Sequence, residues 1–357
     1  MRQSYKDWLI ILGSAVAAGA LLNWLGIAAG WFLGPMISTA VFASLQPSEQ
    51  EYHLPEWVYN LSMAVLGGAV STALTPDAVE VLVRYWLLIV LAIVALLTMS
   101  ILTAVLLTRF SDLDLPTTVL GMLPGGAPGM VALSDAMHAD TRLVAVMQSI
   151  RLMLVLGMLG LVSAFVVPLV TDGAPIAAAT YPAVPDSSWQ LLAMTVLITI
   201  GGAWGGARLH LPAGTMVGPA LLGAVLGLLG VRQAPWPELI LVASYILIGL
   251  SVGLQFDITS MRTVGRLLPV LLLSMLVLII GGALLGGALA LFTSVDLFSA
   301  FLATTPGGLN MVTIIALESG SNVVLVLTLN LLRFLVIILA GPLLVRGSVR
   351  LFGHSPA

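Results

Sequence analysis

The sequence is expected to fold as an all-α polytopic membrane protein of two inverted repeats, each with about five spanning helices and one re-entrant hairpin broken at Pro-Gly-Gly. Three observations predict this: a strongly apolar composition, a set of motifs that returns about 182 residues later, and a distribution of arginines that favours one side only if a segment of each half turns back.

Of the 357 residues, 59% are hydrophobic and 8% charged, and the mean hydropathy is +1.11. Soluble domains hold roughly 45–50% apolar residues, so the expected partner of this surface is a lipid bilayer. The 13 Lys and Arg are thinly spread, with Lys6 the single lysine, and no basic stripe suits a nucleic-acid backbone. There is no cysteine, and His53, His138, His210 and His354 are isolated from one another. Neither a metal nor another cofactor is expected. Walker A, dinucleotide-binding and Ser-His-Asp patterns are absent too, so the chain is read as no enzyme, and any transport would draw on a gradient. Arg2 and Lys6 ahead of an apolar run with Ala15, Ala17 and Ala18 imitate a signal peptide. That run has a counterpart in mid-chain, which argues for a spanning helix.

Self-similarity gives the organisation. Ala29-Gly30-Trp31-Phe32-Leu33-Gly34-Pro35 matches Ala213-Gly214-Thr215-Met216-Val217-Gly218-Pro219. Leu123-Pro124-Gly125-Gly126 with Met130-Val131 matches Thr305-Pro306-Gly307-Gly308 with Met311-Val312, one residue shorter. Gln148-Ser149-Ile150-Arg151 matches Asn330-Leu331-Leu332-Arg333. The offsets are 184, 182 and 182 residues, which divides the chain into repeat 1 (1–171), a linker rich in Pro, Ala and Asp (172–187) and repeat 2 (188–357) with a short tail.

Each half carries six apolar segments, at about 8–26, 29–46, 57–74, 83–107, 115–138 and 142–170, then 189–207, 212–230, 237–256, 264–293, 297–318 and 322–345. A spanning helix needs about 20 residues. If all six cross, six basic residues fall on the N-terminal side and five on the other. If the fifth segment of each half re-enters, Arg2, Lys6, Arg109, Arg142, Arg208, Arg262, Arg266, Arg346 and Arg350 share one side, with only Arg84 and Arg232 opposite. The positive-inside rule selects the second arrangement, with both termini cytoplasmic. Trp8, Trp57, Trp86 and Trp189 are expected as interfacial anchors, and the glycines of the Ala-Gly-x-x-x-Gly-Pro motifs as points of close helix packing.

Leu123-Pro124-Gly125-Gly126-Ala127-Pro128-Gly129 cannot continue a helix. Irregular backbone at membrane depth is tolerated where it is buried in protein or lines a watery cavity, and paired breaks in opposite orientations mark midplane binding sites in carriers. New half-helices are expected near Met130 and Met311, their N-termini favouring an anion. The following helix of each half carries one arginine: Arg151 lies nine residues past Arg142, about 13 Å along a helix, with Arg333 at the matching place. Either the two arginines are structural, held by carbonyls or by Asp135 or Glu318, or they hold an anion with the tips. Candidate substrate-binding residues are therefore Pro124, Gly125, Gly126, Thr305, Pro306, Gly307, Gly308, Asn310, Gln148, Arg151, Asn330 and Arg333; Asp135 and Glu318 are candidate coupling residues. The function expected is secondary transport of a small organic anion with H+ or Na+. The alternative is a membrane-embedded regulator of gene expression or sensor acting indirectly. Nothing in the sequence opposes a homo-oligomer.

These paired motifs, over essentially the whole chain, resemble the AbrB duplication family of bacterial membrane proteins. The resemblance implies a bacterial inner-membrane location and carries two labels, an ammonia monooxygenase and a regulator of gene expression. The first would need clustered histidines or carboxylates for copper or iron, which the sequence lacks. The family's Pro-Gly-Gly-x-x-Glu-Met is altered to Pro128-Gly129-Met130 in one half and Asn310-Met311 in the other, so no acidic residue precedes either methionine.

Overall fold

The computed structural model describes residues 5–27, 29–45, 52–73, 76–111, 113–125, 127–162, 189–211, 213–254, 265 and 268–352. The linker 172–187 and Gly126 lie outside them, as do the side chains of Asn310 and of residues 127–129. Among the described residues there are fourteen helices and no strand. In chain order they are α1 (Tyr5–Trp24), α2 (Gly30–Leu45), α3 (Glu56–Ala73), α4 (Pro76–Arg109), α5 (Leu115–Met122), α6 (Ala127–Ala136) and α7 (Thr141–Leu161), then α8 (Trp189–Arg208), α9 (Gly214–Leu228), α10 (Glu238–Leu254), α11 (Leu268–Phe292), α12 (Leu297–Thr304), α13 (Leu309–Glu318) and α14 (Val323–Phe352). Each of the first seven has its counterpart seven helices later.

Six helices are long and apolar enough to cross a bilayer: Lys6–Trp24, Val83–Arg109, Thr141–Leu159, Trp189–Arg208, Pro269–Phe292 and Val323–Phe352. Gly30–Leu45, Gly214–Leu228 and Glu238–Leu254 are apolar but shorter. Leu9, Leu284 and Leu339 are each more than 70% exposed along the long helices, as are many neighbours, a surface that water would not tolerate. The protein is thus an all-α polytopic membrane protein. Trp57, Trp86 and Trp189 stand exposed on this outer surface, whereas Trp8 packs edge-on against Tyr52.

The chain forms two compact units, each drawing on both halves of the sequence. The first comprises Met1–Val81, Gly160–Ile258 and Thr313–Val324. In it the helices pack in the order α1, α2, α10, α3, α9, α8, with α3 against α10 at the centre, so every contact made by one repeat is answered by the other. Glycines permit the closest crossings. A methyl group at Gly67 on α3 would lie 2.1 Å from the Met216 carbonyl oxygen of α9, and one at Gly249 on α10 would lie 2.3 Å from that of Phe32 on α2. Within the α1–α2 and α8–α9 pairs, Gly34 and Gly218 meet backbone at 2.3 Å and 2.0 Å in the same sense. The Ala-Gly-x-x-x-Gly-Pro motif is therefore a packing motif, as its spacing suggests.

The second unit comprises Leu82–Leu159, Thr259–Val312 and Leu325–Ala357. It contains both Pro-Gly-Gly breaks. Asp114 and Asp296 start the broken segments as N-caps, their carboxylates accepting from Thr117 N–H at 3.0 Å and Ser299 N–H at 2.8 Å. With 8 and 10 residues, α5 and α6 rise about 12 and 15 Å, too little to span singly. The Asp140 N–H, just past α6, donates to Thr117 Oγ1 at the start of α5 at 2.8 Å. The two ends of the segment meet, so it folds back on itself.

Gly67→Ala should lower stability by about 1–3 kcal/mol through overpacking against α9, read as the unfolding transition in detergent. Gly13→Ala, with nothing within 4 Å, should leave that transition unchanged or slightly raised. Asp114→Ala and Asp296→Ala should each cost about 0.5–2 kcal/mol by the loss of a cap, measured in the same way.

Candidate functional site

The second unit is organised around two chain breaks. Leu123 and Thr305, each before a proline, take extended backbone (ψ 127° and 133°), as the proline ring demands of its predecessor. Gly125 N–H then donates to Leu123 O at 2.9 Å and Gly307 N–H to Thr305 O at 2.8 Å, tight three-residue turns centred on Pro124 and Pro306. The half-helices restart at Ala127 and Leu309, a turn or less before Met130 and Met311 where the sequence suggested. Pro128 is no obstacle to this, because a proline in the first helical turn forfeits no helical hydrogen bond.

The breaks leave carbonyls at the C-termini of α5 and α12 without helical donors, and the next helices supply them. On α7, Gln148 Nε2 donates to Leu120 O (2.8 Å), Leu123 O (3.0 Å) and Gly121 O (3.3 Å). Arg151 Nη1 donates to Leu123 O at 2.9 Å, and Nη2 to Gln148 Oε1 at 2.7 Å. On α14, Arg333 Nη1 donates to Thr305 O at 2.9 Å, while Nη2 reaches both Gly307 O (3.1 Å) and Asn330 Oδ1 (2.7 Å). Asn330, one methylene shorter than Gln148, bonds the Val326 carbonyl of its own helix at 2.8 Å and reaches Ala303 O only at 3.4 Å. The cationic heads thus sit at the negative ends of two helix dipoles.

Of the alternatives open in the sequence, the partners of both arginines are carbonyls and a neighbouring amide; no carboxylate among the described residues pairs with either guanidinium. Asp135 is exposed at the end of α6. Glu318, buried in the first unit, accepts a hydrogen bond from the Ala29 N–H.

The tips also interlock across the repeats. A methyl at Gly125 would lie 2.5 Å from Ile337 Cγ2 on α14, and one at Gly307 would lie 3.3 Å from Val155 Cγ1 on α7. Val155 and Ile337 are fully buried and 182 residues apart. Each tip is therefore bonded by the helix that follows it and packed against the equivalent helix of the other repeat. Leu152 Cδ1 would likewise touch a methyl at Gly308, at 3.5 Å. Sequence inspection did not find Leu152, Val155 and Ile337 because apolar residues on apolar helices carry no distinguishing signal.

Arg151, Arg333, Gln148 and Asn330 are each at most 3% exposed. Both arginines keep a buried Nε–H without an acceptor, and Arg333 feels the like charge of Arg151. Donors of one sign therefore remain at the place where the two breaks come together. Pro124, Gly125, Pro306, Gly307 and Gly308 belong to this cluster with the four polar residues, and Thr305 adds its carbonyl while its hydroxyl back-bonds Phe301 O at 2.7 Å. Among the described residues no group of His, Cys, Asp and Glu could hold a metal ion.

Comparison with known proteins places this geometry in context. The model of a family described as transition state regulatory protein AbrB matches residues 31–348. A relative from Escherichia coli (strain K12), named "Putative regulator AbrB", is 34% identical over 318 residues, 89% of each chain. "Uncharacterized protein YhjN" from Bacillus subtilis (strain 168) is 24% identical over 359 aligned residues, covering 94% of this chain and 91% of the relative.

Gln148→Leu should take the Nε2 donor from the Leu120 and Gly121 carbonyls, while Leu123 O keeps Arg151 Nη1 and the Gly125 N–H, and should take an acceptor from Arg151 Nη2, at a cost of about 1–3 kcal/mol. Ser149→Ala removes a hydroxyl that bonds only its own helix at 2.9 Å, and its unfolding transition should stay within error of wild type.

Proposed function

The chain belongs to the AbrB family, and from that premise we propose that it is a secondary-active carrier of a small organic anion, without catalytic activity, in the bacterial inner membrane with both termini cytoplasmic. The observation that carries this reading is the pair of buried arginines at the two tips, each with an Nε–H that no protein group accepts. An unpaired buried donor costs free energy, and a buried cation costs more. Carbonyls offset part of that cost through their dipoles, but they bring no net negative charge. A carboxylate would bring both an acceptor and the charge, and arginine suits it through its planar, bidentate head. The half-helices α6 and α13 start at the same breaks, and their N-termini favour the same ligand.

Broken helices at a repeat interface are also what alternating access requires, since the tips can exchange hydrogen bonds with a solute. A gradient of H+ or Na+ would supply the drive. The second reading, a membrane-embedded regulator acting without transport, is favoured by the name of the E. coli relative. It would need a partner protein, because the site found here is internal.

The test is a thermal-shift screen of organic anions, amino acids and sodium on the purified protein. A ligand at a hundred times its Kd stabilises the folded state by about 2.7 kcal/mol. The expected outcome is stabilisation by an anion that disappears in Arg151→Gln and Arg333→Gln. Arg333→Lys, which keeps the charge, should retain part of it. A panel without response in wild type would move the weight to the regulator.

A further inference from the structure

A second buried polar group belongs to none of the machinery above. Glu318 ends α13 and is 8% exposed. Its carboxyl accepts a hydrogen bond from the N–H of Ala29, the residue whose carbonyl begins α2 by accepting from Phe32 N–H (2.9 Å) and Leu33 N–H (2.8 Å). Ala29 is held at φ 59°, a left-handed conformation that costs a residue with a Cβ about 1 kcal/mol or more. Glu318 Oε1 is buried without a hydrogen-bond partner. The groups acting on the carboxyl are its burial and the Ala29 N–H; from α13, α2 and the chain around them no charged side chain among the described residues faces it.

We propose that Glu318 is a proton-binding site, and hence, resting on the carrier reading above, that H+ is a coupling ion. One oxygen is committed to an N–H donor, and the other has no donor at all. A proton on Oε1 removes the buried charge and needs no ligand besides that oxygen. Burying a carboxylate with a single donor is costly, and a proton on Oε1 relieves that cost.

Two features connect the site to the carrier. First, α13 begins next to the Gly307–Gly308 break that Arg333 holds, and Glu318 is the last residue of that same helix. Second, no counterpart of the site occurs among the described residues. The residue 182 positions earlier is Ala136, and the N-cap of α9, Ala213, repeats the left-handed conformation (φ 50°) without a side-chain cap. Asp135, the other acidic residue of a hairpin, is exposed and is excluded from the role.

The experiment is infrared difference spectroscopy on the full-length protein in lipid, with 13C-glutamate labelling, as pH is stepped across the near-neutral range. A labelled carboxylic-acid band that converts to carboxylate is expected in wild type, lost in Glu318→Gln and in Glu318→Ala, and kept in Asp135→Asn. A wild-type spectrum without such a band, or a band that survives in Glu318→Gln, overturns the proposal. The wild-type spectrum decides even if a variant fails to fold. The measurement involves no solute, so a titrating Glu318 in a protein that answers no ligand would leave the proton site standing and remove the carrier reading instead.

Discussion

Everything in the second unit depends on one exchange of hydrogen bonds, that of an arginine head for the carbonyls of a broken helix. A helix stopped inside a bilayer exposes carbonyls that neither water nor lipid can satisfy, at several kcal/mol each. A guanidinium on an apolar helix has the complementary defect. Placed together, each removes the other's cost, and the dipole at the C-terminus of α5 or α12 adds to the attraction. The register is the same in both copies: 28 residues separate Leu123 from Arg151 and Thr305 from Arg333. Neither feature is tolerable alone, which explains why break and arginine occur as a set.

The same constraint shapes the tips. Because α7 is bonded to its own break through Gln148 and Arg151, its next turn is free to pack against the other break through Leu152 and Val155. The helix α14 does the reverse through Ile337. Neither tip can be placed without the opposite repeat, and this interdependence is why each compact unit is assembled from both halves of the chain. In the first unit the glycines at 67 and 249 serve a similar end with no polar groups at all, since close backbone approach is the main source of helix association where solvent and side chains are equally apolar.

Much of this was legible in the sequence. The membrane class follows from composition, the repeat from three motifs, and the burial of both arginines from their place on apolar helices. The carbonyl partners were legible only as a class, because a guanidinium can reach carboxylate or carbonyl alike and the choice depends on which lies within about 3 Å in space. The restart of α6 falls at Ala127, three residues before Met130, because Pro128, which reads as a breaker, is harmless in the first turn. Glu318 was visible as an acidic residue in a hairpin, but its pairing with the Ala29 N–H joins segments some 290 residues apart, and no local pattern signals such a contact.

The differences between the copies are as informative as their likeness. Duplication alone would give both tips equal holds. Here Gln148 grips three carbonyls of α5, whereas Asn330 turns back on its own helix and leaves the second tip mainly to Arg333. Among the described residues the second break is therefore held by fewer side-chain bonds to its carbonyls, chiefly the charged contacts of Arg333. The helix leading from that break is the one that ends on Glu318. A frame built symmetric and then weakened on one side concentrates its response there, at the tip with the smaller resistance.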